Sequence, residues 1–508
     1  MKWMLTIWQW LAYLFKPARL ELSALVLGGI SVFAFAPFEI APLIVLTLAS
    51  LFALWWRADS VRHGFKLGLW FGLGLFGAGA SWLFSSLYIF ADVWLPLSIF
   101  LTFLFVLYLS LFIAVAGALS VYLRGQSPFY FLMTLPAVWV LMELIRGSFL
   151  DGYPFLLVGN SHVQTWLDGY APVLGVWGVS FAVVLTAAAL FYIWQKRAWL
   201  GGALVIAGLW LSGSMLQKVE WVQPLDKPIE VALLQGNIAQ EKKWLPSEFY
   251  PTMQTYISLT KQNLGADVIV WPETAVPAYF DVVQRGALRS FIADVQLLKK
   301  DVLVGTIAGD IDSADYYNAL VNLRDPEQKY YKHHLVPFSE YFPFDDLFRF
   351  MAQAFEIPYA TFSAGSEQQP PMMLGGYQAG LSICFEMAFG EELAQQLPEA
   401  KYLITVSNDA WFANTLEPAQ QLQEVQMRAL ELGREIARST NTGHTAIVGK
   451  DGVVKARIAP YQEGVLKDKV QPYEGMTPYA QWQRLPIILI LLAILAVPLS
   501  RLYLRRRY

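Results

Sequence analysis

Cys384 is the one cysteine of the chain. It closes an apolar, strand-like run, Ala379-Gly380-Leu381-Ser382-Ile383-Cys384, and Phe385-Glu386 follow at once. A lone cysteine forms no internal disulfide, and one ligand rarely holds a metal. Its side chain is therefore a packed small hydrophobe or a nucleophile. Two other segments favour the nucleophile. Glu273 stands in Trp271-Pro272-Glu273-Thr274, after the strand-like Asp267-Val268-Ile269-Val270. Lys332 opens Lys332-His333-His334-Leu335-Val336-Pro337, after Tyr330-Tyr331. Thiol, carboxylate and ammonium, each at the end of a strand, can converge at one edge of a sheet. Acyl transfer through a covalent intermediate needs such a set: a nucleophile, a base for its proton, and positive charge where the oxyanion develops.

Each residue also has a plainer reading. Cys384 can be packed, Glu273 can neighbour a helix N-cap, and Lys332 can be a solvated strand-end lysine. His333 and His334 invite a metal reading, but no other His or Cys cluster accompanies them in this block. Neither metal nor cofactor is expected. There is no Gly-Xaa-Ser-Xaa-Gly elbow and no phosphate-binding glycine loop, so serine-hydrolase and nucleotide readings lack support.

The elements that must hold these residues fall into two kinds. The chain has 508 residues, 56% hydrophobic and 15% charged, with a net charge of -3. Nothing in that balance marks nucleic-acid binding. From Leu20 to Leu216 nearly every window is apolar, and about 20 apolar residues cross a bilayer as a helix. Seven spans are read at 20–36, 41–57, 65–89, 94–123, 129–147, 173–195 and 198–216, with an eighth at 485–503. Gly28 and Gly29 suit close helix packing. Residues 1–15 suit a surface-lying amphipathic segment.

Basic residues set the orientation. Lys2, Lys16 and Arg19, then Arg57, Arg62 and Lys66, then Arg124, then Lys196 and Arg197, then Arg501, Arg505, Arg506 and Arg507 fall in alternate loops. With eight spans all of them lie on the cytoplasmic side, both termini included. The polar block before the last span then faces the periplasm of a Gram-negative cell. The same alternation favours retaining the first span over cleaving it after Ala34-Phe35-Ala36. Domains are expected at 1–219 (seven spans), 220–480 (catalytic) and 481–508 (the last span and a basic tail).

The polar block alternates strands and helices. Strands are read at Ile229–Leu234, Asp267–Trp271, Val302–Ile307, Ala379–Cys384, Tyr402–Val406 and Thr445–Val448. Helices are read at Glu248–Leu264, Val282–Leu298, Ala388–Leu397 and Pro418–Ser439. This argues a sheet covered by helices. Pro and Gly at 357–376 mark a long loop or lid.

Trp271-Pro272-Glu273, then Lys332, then Cys384-Phe385-Glu386, in that order and spacing, resembles the nitrilase superfamily. With the membrane flanks, the chain is similar to the apolipoprotein N-acyltransferases. Gln235-Gly236-Asn237-Ile238, Lys332 to Tyr341, Ser407-Asn408-Asp409-Ala410-Trp411-Phe412 and Arg428-Ala429-Leu430-Glu431 agree. The resemblance implies an αββα sandwich beside a multi-pass helical membrane domain of eight spans. It makes Cys384 the acylated nucleophile, Glu273 the general base, Lys332 the stabilising cation and Glu340 a further essential carboxylate. Phe385 and Glu386 would shape the pocket, Trp244 would ride a mobile loop over the entrance, and Trp411 would lie near it. The implied partners are a phospholipid acyl donor and a diacylglyceryl-modified apolipoprotein acceptor, served by a monomer in a ping-pong reaction. Ser339 and Ala413 stand where many members carry glycine, which touches loop detail only.

Glu143 and Arg146, one helical turn apart at a span end, are read either as an i,i+3 pair or as a lipid-headgroup site centred on Arg146. Two rival functions remain: a membrane-tethered amidase or nitrilase that uses water as acceptor, and a transporter or scaffold with a degenerate module, for which Cys384→Ala would be silent.

Overall fold

The computed structural model describes residues 20–309, 315–341, 361–412 and 414–507. The expectations for residues 1–15, for Lys2, Lys16 and Arg19, for Ala413 and for the first part of the 357–376 loop lie outside them. Two compact units emerge. One holds the described residues up to Phe84, Trp94–Val219 and the chain from Arg484 on; the other holds Ser85–Val93 and Glu220–Gln483.

The first unit is helical. Among the described residues, four helices are long and apolar enough to cross a membrane: Leu95–Tyr122, Trp166–Lys196, Trp199–Leu216 and Leu485–Leu504. A fifth crossing results if Val61–Gly79 and Leu83–Phe90, bent by 54°, count as one. Leu20–Ala34 and Pro42–Arg57 are apolar but shorter. The eight full spans read from hydropathy are thus four to five by helix length. The reading at 65–89 ran through the bend after Gly79, and that at 129–147 begins as a π-helical turn, Tyr130–Thr134, before Leu135–Arg146. Small residues set the packing. A Cβ on Gly28 would collide with the carbonyl oxygen of Phe71, and one on Gly74 with that of Leu25, so these helices touch backbone to backbone. Gly29 is looser, its nearest neighbour being the Gly74 oxygen at 3.9 Å. Arg124 donates to the carbonyls of Trp56 and Ala58 at 2.8 and 2.9 Å, closing the end of Pro42–Arg57.

The second unit is built on two sheets. The strands in chain order are β1 (Gln223–Pro224), β2 (Ile229–Gln235), β3 (Val268–Val270), β4 (Val276–Tyr279), β5 (Asp301–Gly309), β6 (Tyr316–Asn322), β7 (Lys329–Tyr331), β8 (Met372–Leu374), β9 (Tyr377–Ile383), β10 (Tyr402–Ser407), β11 (Ile436–Thr440), β12 (Ala446–Val448), β13 (Val454–Arg457), β14 (Gly464–Val470) and β15 (Tyr473–Glu474). One sheet runs β14-β2-β3-β5-β6-β7, with β4 beside β5; the other runs β13-β12-β11-β10-β9-β8. Short β1 and β15 pair separately. The central pairs β2/β3, β3/β5, β9/β10 and β10/β11 are parallel, so the loops leaving them emerge at the same ends.

Alternation of side chains explains the layers. Val231, Leu233, Val268, Val270 and Leu303 meet Leu381, Ile383, Ile404 and Val406 between the sheets. Ala232, Leu234, Ile269, Val302 and Val304 face the other way, onto Met253, Tyr256, Phe291 and Val295 of the helices Pro246–Gln262 and Arg289–Leu297. Strands buried on both faces read as continuous apolar runs, which is why they were legible.

Helix ends were read less well. Pro418–Ser439 is not one helix: Glu417–Leu432 stops at Gly433, whose φ of +62° is left-handed, and Ile436 belongs to β11. Val282–Leu298 breaks at Gly286 into Phe280–Arg285 and Arg289–Leu297. Ala388–Leu397 reduces to a 3₁₀ turn, Cys384–Ala388, and a short helix, Gly390–Ala394.

Candidate active site

The turn carrying Glu273 is fixed from both sides. Trp271 is fully buried, stacked on Tyr256 and Phe291 with ring centroids 5.0 and 6.0 Å apart. Its Nε1 donates to Thr260 Oγ1 at 2.9 Å. Below the turn, Gly305 of β5 leaves the space it needs: a Cβ there would strike the Pro272 carbonyl oxygen. Thr274 then takes a left-handed φ of +44°.

The Glu273 carboxylate receives one donor from each sheet. Asn318 Nδ2 of β6 donates to Oε1 at 2.7 Å, and the backbone N–H of Asn408, just past β10, donates to Oε2 at 2.8 Å. Lys332, 1% exposed, follows β7. Its Nζ contacts the Glu340 oxygens at 2.9 and 2.7 Å and lies 3.8 Å from Glu273 Oε1. Glu340 is held in turn by the Val336 N–H at 2.8 Å. Cys384 leaves β9 with φ of +55°, outside the region a strand residue adopts, so the chain kinks at the sulfur. The thiol is partly buried.

The charges of this set act on one another. Burial raises the pKa of Glu273; the Lys332 charge opposes that and the Glu340 charge adds to it. Burial also pushes the Cys384 thiol well above its ordinary range, with Glu273 adding and Lys332 opposing. For Lys332, burial alone would lower the pKa, but Glu340, Cys384 and Glu273 outweigh it and hold the ammonium charged. Burial and the neighbouring carboxylates thus disfavour a thiolate here, while the Lys332 charge favours one.

Glu386, 1% exposed, ties the cysteine's strand end to the lysine's. It accepts from the backbone N–H groups of Ile383 at 2.7 Å, His333 at 2.8 Å and His334 at 3.2 Å, and from the Tyr330 hydroxyl at 2.9 Å. Behind it both imidazoles reach Glu392, at 2.9 Å from His333 Nε2 and 2.7 Å from His334 Nδ1. Burial disfavours the His333 charge, yet Glu386 and Glu392 outweigh it and bring its pKa to about 10. Burial likewise disfavours the Glu392 charge, and the two histidines overcome it to hold that carboxyl at about 2. Phe385 packs on Phe389 and His334 at centroid distances of 5.0 and 5.4 Å. No group of His, Cys, Asp and Glu suited to a metal occurs among the described residues.

Trp244 and Trp411 are exposed, at 49% and 38%. Trp244 follows buried Lys243, whose Nζ donates to Thr274 Oγ1 at 2.9 Å and to the Glu273 carbonyl at 3.2 Å. The Trp411 carbonyl accepts from Ser86 Oγ at 2.9 Å, and its ring meets Phe90 at 6.1 Å. Arg146 is 3% exposed, with donors on the carbonyls of Tyr153, Phe155 and Leu156 at 2.8, 2.7 and 3.4 Å. Glu143 accepts from the Val158 N–H at 2.9 Å and from Trp139 Nε1 at 3.0 Å. Both side chains thus bond to one loop, and Arg146 also acts electrostatically on Glu143, as in the i,i+3 reading.

Sequence reasoning did not single out Asn318 or Lys243, and it named Asn408 only within the stretch 407–412. Asn318 had a signal: a polar residue inside the strand-like Tyr316–Asn322. Lys243, next to Lys242, had none.

Two packed sheets, with carboxylate, ammonium and thiol at their strand ends, on a chain that also carries long apolar helices, define a membrane-associated protein of carbon-nitrogen hydrolase type. Residues 230–478 match the family model described as carbon-nitrogen hydrolase, and residues 27–189 match that of the apolipoprotein N-acyltransferase N-terminal domain. The chain is 40% identical over 488 residues to the apolipoprotein N-acyltransferase of Methylococcus capsulatus, covering 94% of this chain and 95% of that protein. It is 37% identical over 493 residues to that of Nitrosomonas europaea, covering 96% and 98%. The chain belongs to the apolipoprotein N-acyltransferase family, and it is an acyltransferase.

Proposed function

We propose that the chain moves a fatty acyl group from a phospholipid, typically phosphatidylethanolamine, to the α-amino group of an S-diacylglyceryl cysteine at a lipoprotein N-terminus, through a thioester on Cys384. The observation that carries this is the Lys332 ammonium held against Glu273 and Glu340, with the Cys384 thiol in the same electrostatic field.

In the first half-reaction Glu273 takes the thiol proton as Sγ bonds to the ester carbonyl carbon. Lys332 stabilises the oxyanion. The ester C–O bond breaks, its electron pair leaves with the oxygen, and Glu273 returns the proton to give a lysophospholipid. In the second, the lipoprotein amine attacks the thioester, the C–S bond breaks, and the amine proton passes through Glu273 to the departing sulfur. Glu340 orients Lys332. Glu386 positions both strand ends, with Phe385 packed beside it. Exposed Trp244 and Trp411 suit contact with apolar substrate chains at the entrance. A mouth open to lipid would slow hydrolysis of the thioester.

Eight crossings, a periplasmic catalytic domain and cytoplasmic termini remain part of this proposal. The contact of Arg124 with the loop after Trp56, and of Lys196 Nζ with Gln126 Oε1 at 2.6 Å, supports a shared side for three basic loops. Intact mass spectrometry of the purified chain with phospholipid tests the chemistry. A fatty-acyl increment on the Cys384 peptide, discharged by a diacylglyceryl peptide, is expected; release of free fatty acid with no adduct would overturn it.

A further inference from the structure

Gln421 is a side chain that the reaction scheme above leaves unused. It lies on the buried helix Glu417–Leu432, is 3% exposed, and its Nε2 points at Cys384 Sγ from 4.0 Å. The orientation of a carboxamide is fixed by its partners. Here Oε1 accepts from Arg438 Nη2 at 2.5 Å, with Ser407 Oγ 3.3 Å away. A guanidinium only donates, so the oxygen must face Arg438 and the NH₂ must face the sulfur. Arg438 is itself immobilised: fully buried, it pairs with Asp409 at 3.0 Å and donates to the His444 carbonyl at 3.2 Å. Ser407 Oγ also donates to Asp409. The chain Asp409–Arg438–Gln421 therefore ends in an N–H aimed at the reacting atom.

We propose that Gln421 is a further catalytic residue, whose amide N–H stabilises negative charge on the Cys384 sulfur. The inference rests on Cys384 being the nucleophile. Charge reaches the sulfur twice: when the thiol proton passes to Glu273, and when the C–S bond of the thioester breaks and its electron pair returns to Sγ. Burial, Glu273, Glu340 and Glu417 act against a thiolate at that sulfur, and Lys332 acts for it. With burial and neighbouring carboxyl groups disfavouring a thiolate, a polarised N–H at the sulfur has a defined task. A hydrogen bond to a charged acceptor is among the stronger ones, even though sulfur makes it long.

The lone cysteine makes the test clean. The full-length chain in detergent, cleared of bound acyl groups with hydroxylamine, is pulsed with iodoacetamide across a pH series and weighed intact. Gln421→Met, close in size but without the N–H, is expected to raise the pH midpoint of alkylation by about one unit and to slow alkylation at pH 7 about tenfold. Gln421→Glu, isosteric but anionic, is expected to raise it further. A folded Gln421→Glu chain with the midpoint of the unsubstituted protein overturns the inference, and decides alone if Gln421→Met melts early. The two readings fail separately. An acyl adduct on Cys384 with an unmoved midpoint removes only Gln421 from the chemistry; no adduct in the unsubstituted chain removes the nucleophile itself.

Discussion

Two buried cations, one in each compact unit, meet desolvation in different ways. Arg146 of the helical unit directs its donors to backbone carbonyls between Tyr153 and Leu156. Lys332 of the sandwich directs its donors to the side chains of Glu340 and Glu273. A backbone carbonyl is a fixed dipole that takes no proton. A carboxylate can take one, and here a thiol lies within the same field. Arg146 also acts on the Glu143 carboxyl one turn away, so a titratable neighbour alone does not mark a reactive site; what Lys332 has in addition is the Cys384 thiol in the same field.

The comparison can be broken at several points. Cys384→Ser should lose all acyl transfer and all mass increment, a drop on the order of 10⁴-fold or more. Residual turnover near that of the unsubstituted chain would place the chemistry elsewhere. Lys332→Met should lower kcat on the order of 10²–10³-fold, and Glu273→Gln should do at least as much, because oxyanion charge and proton path are lost separately. Kinetics in mixed micelles would read both. Glu386→Gln should act on geometry. It weakens charge-assisted bonds to Ile383 and His333, each of order 1.5–3 kcal/mol, so the melting temperature and kcat should fall together. An unchanged melting temperature with lost activity would assign Glu386 to the reaction instead.

Arg146→Ala should show the reverse pattern. Orphaned carbonyls, at about 1–3 kcal/mol each, lower the melting temperature, while preference among donor headgroups stays the same. A changed headgroup preference would restore Arg146 as a lipid contact. The smallest effect is a pH dependence of stability from the His333–Glu392 pair. His333 is held at about 10 against an ordinary 6.5, so its contribution is full below pH 6.5 and is lost as pH rises to 10. Glu392 is held at about 2 against 4.5, so its contribution is full above pH 4.5 and is lost as pH falls to 2. His333→Gln should flatten the alkaline slope of the melting temperature; an equal slope in both chains would refute the pairing.

Legibility followed the physics of each element. The central strands are buried on both faces and printed themselves as apolar runs. The helix read at Pro418–Ser439 overran because Gly433 and the next polar residues look alike for a helix continuing or a strand beginning; only pairing of β11 with β10 separates them. Helix length by itself supports four to five of the spans, because hydropathy does not register a bend such as the one after Gly79 or a helix that stops short. Lys332 and Cys384 were legible because each directly follows a strand, and Glu273 because the Trp271-Pro272 turn carries it just past β3. Asn318, Lys243 and Gln421 were not, because their meaning lies in what they face.

The order of residue types along the polymer determined which groups are capable of reactive chemistry and that the chain has an apolar part and a polar part, since hydropathy and side-chain chemistry are local properties. Tertiary structure alone decided which carboxylate holds the ammonium, which charges merely anchor a loop, and which amide faces the sulfur. Those depend on directions and distances between residues far apart in the chain, set by sheet register and burial.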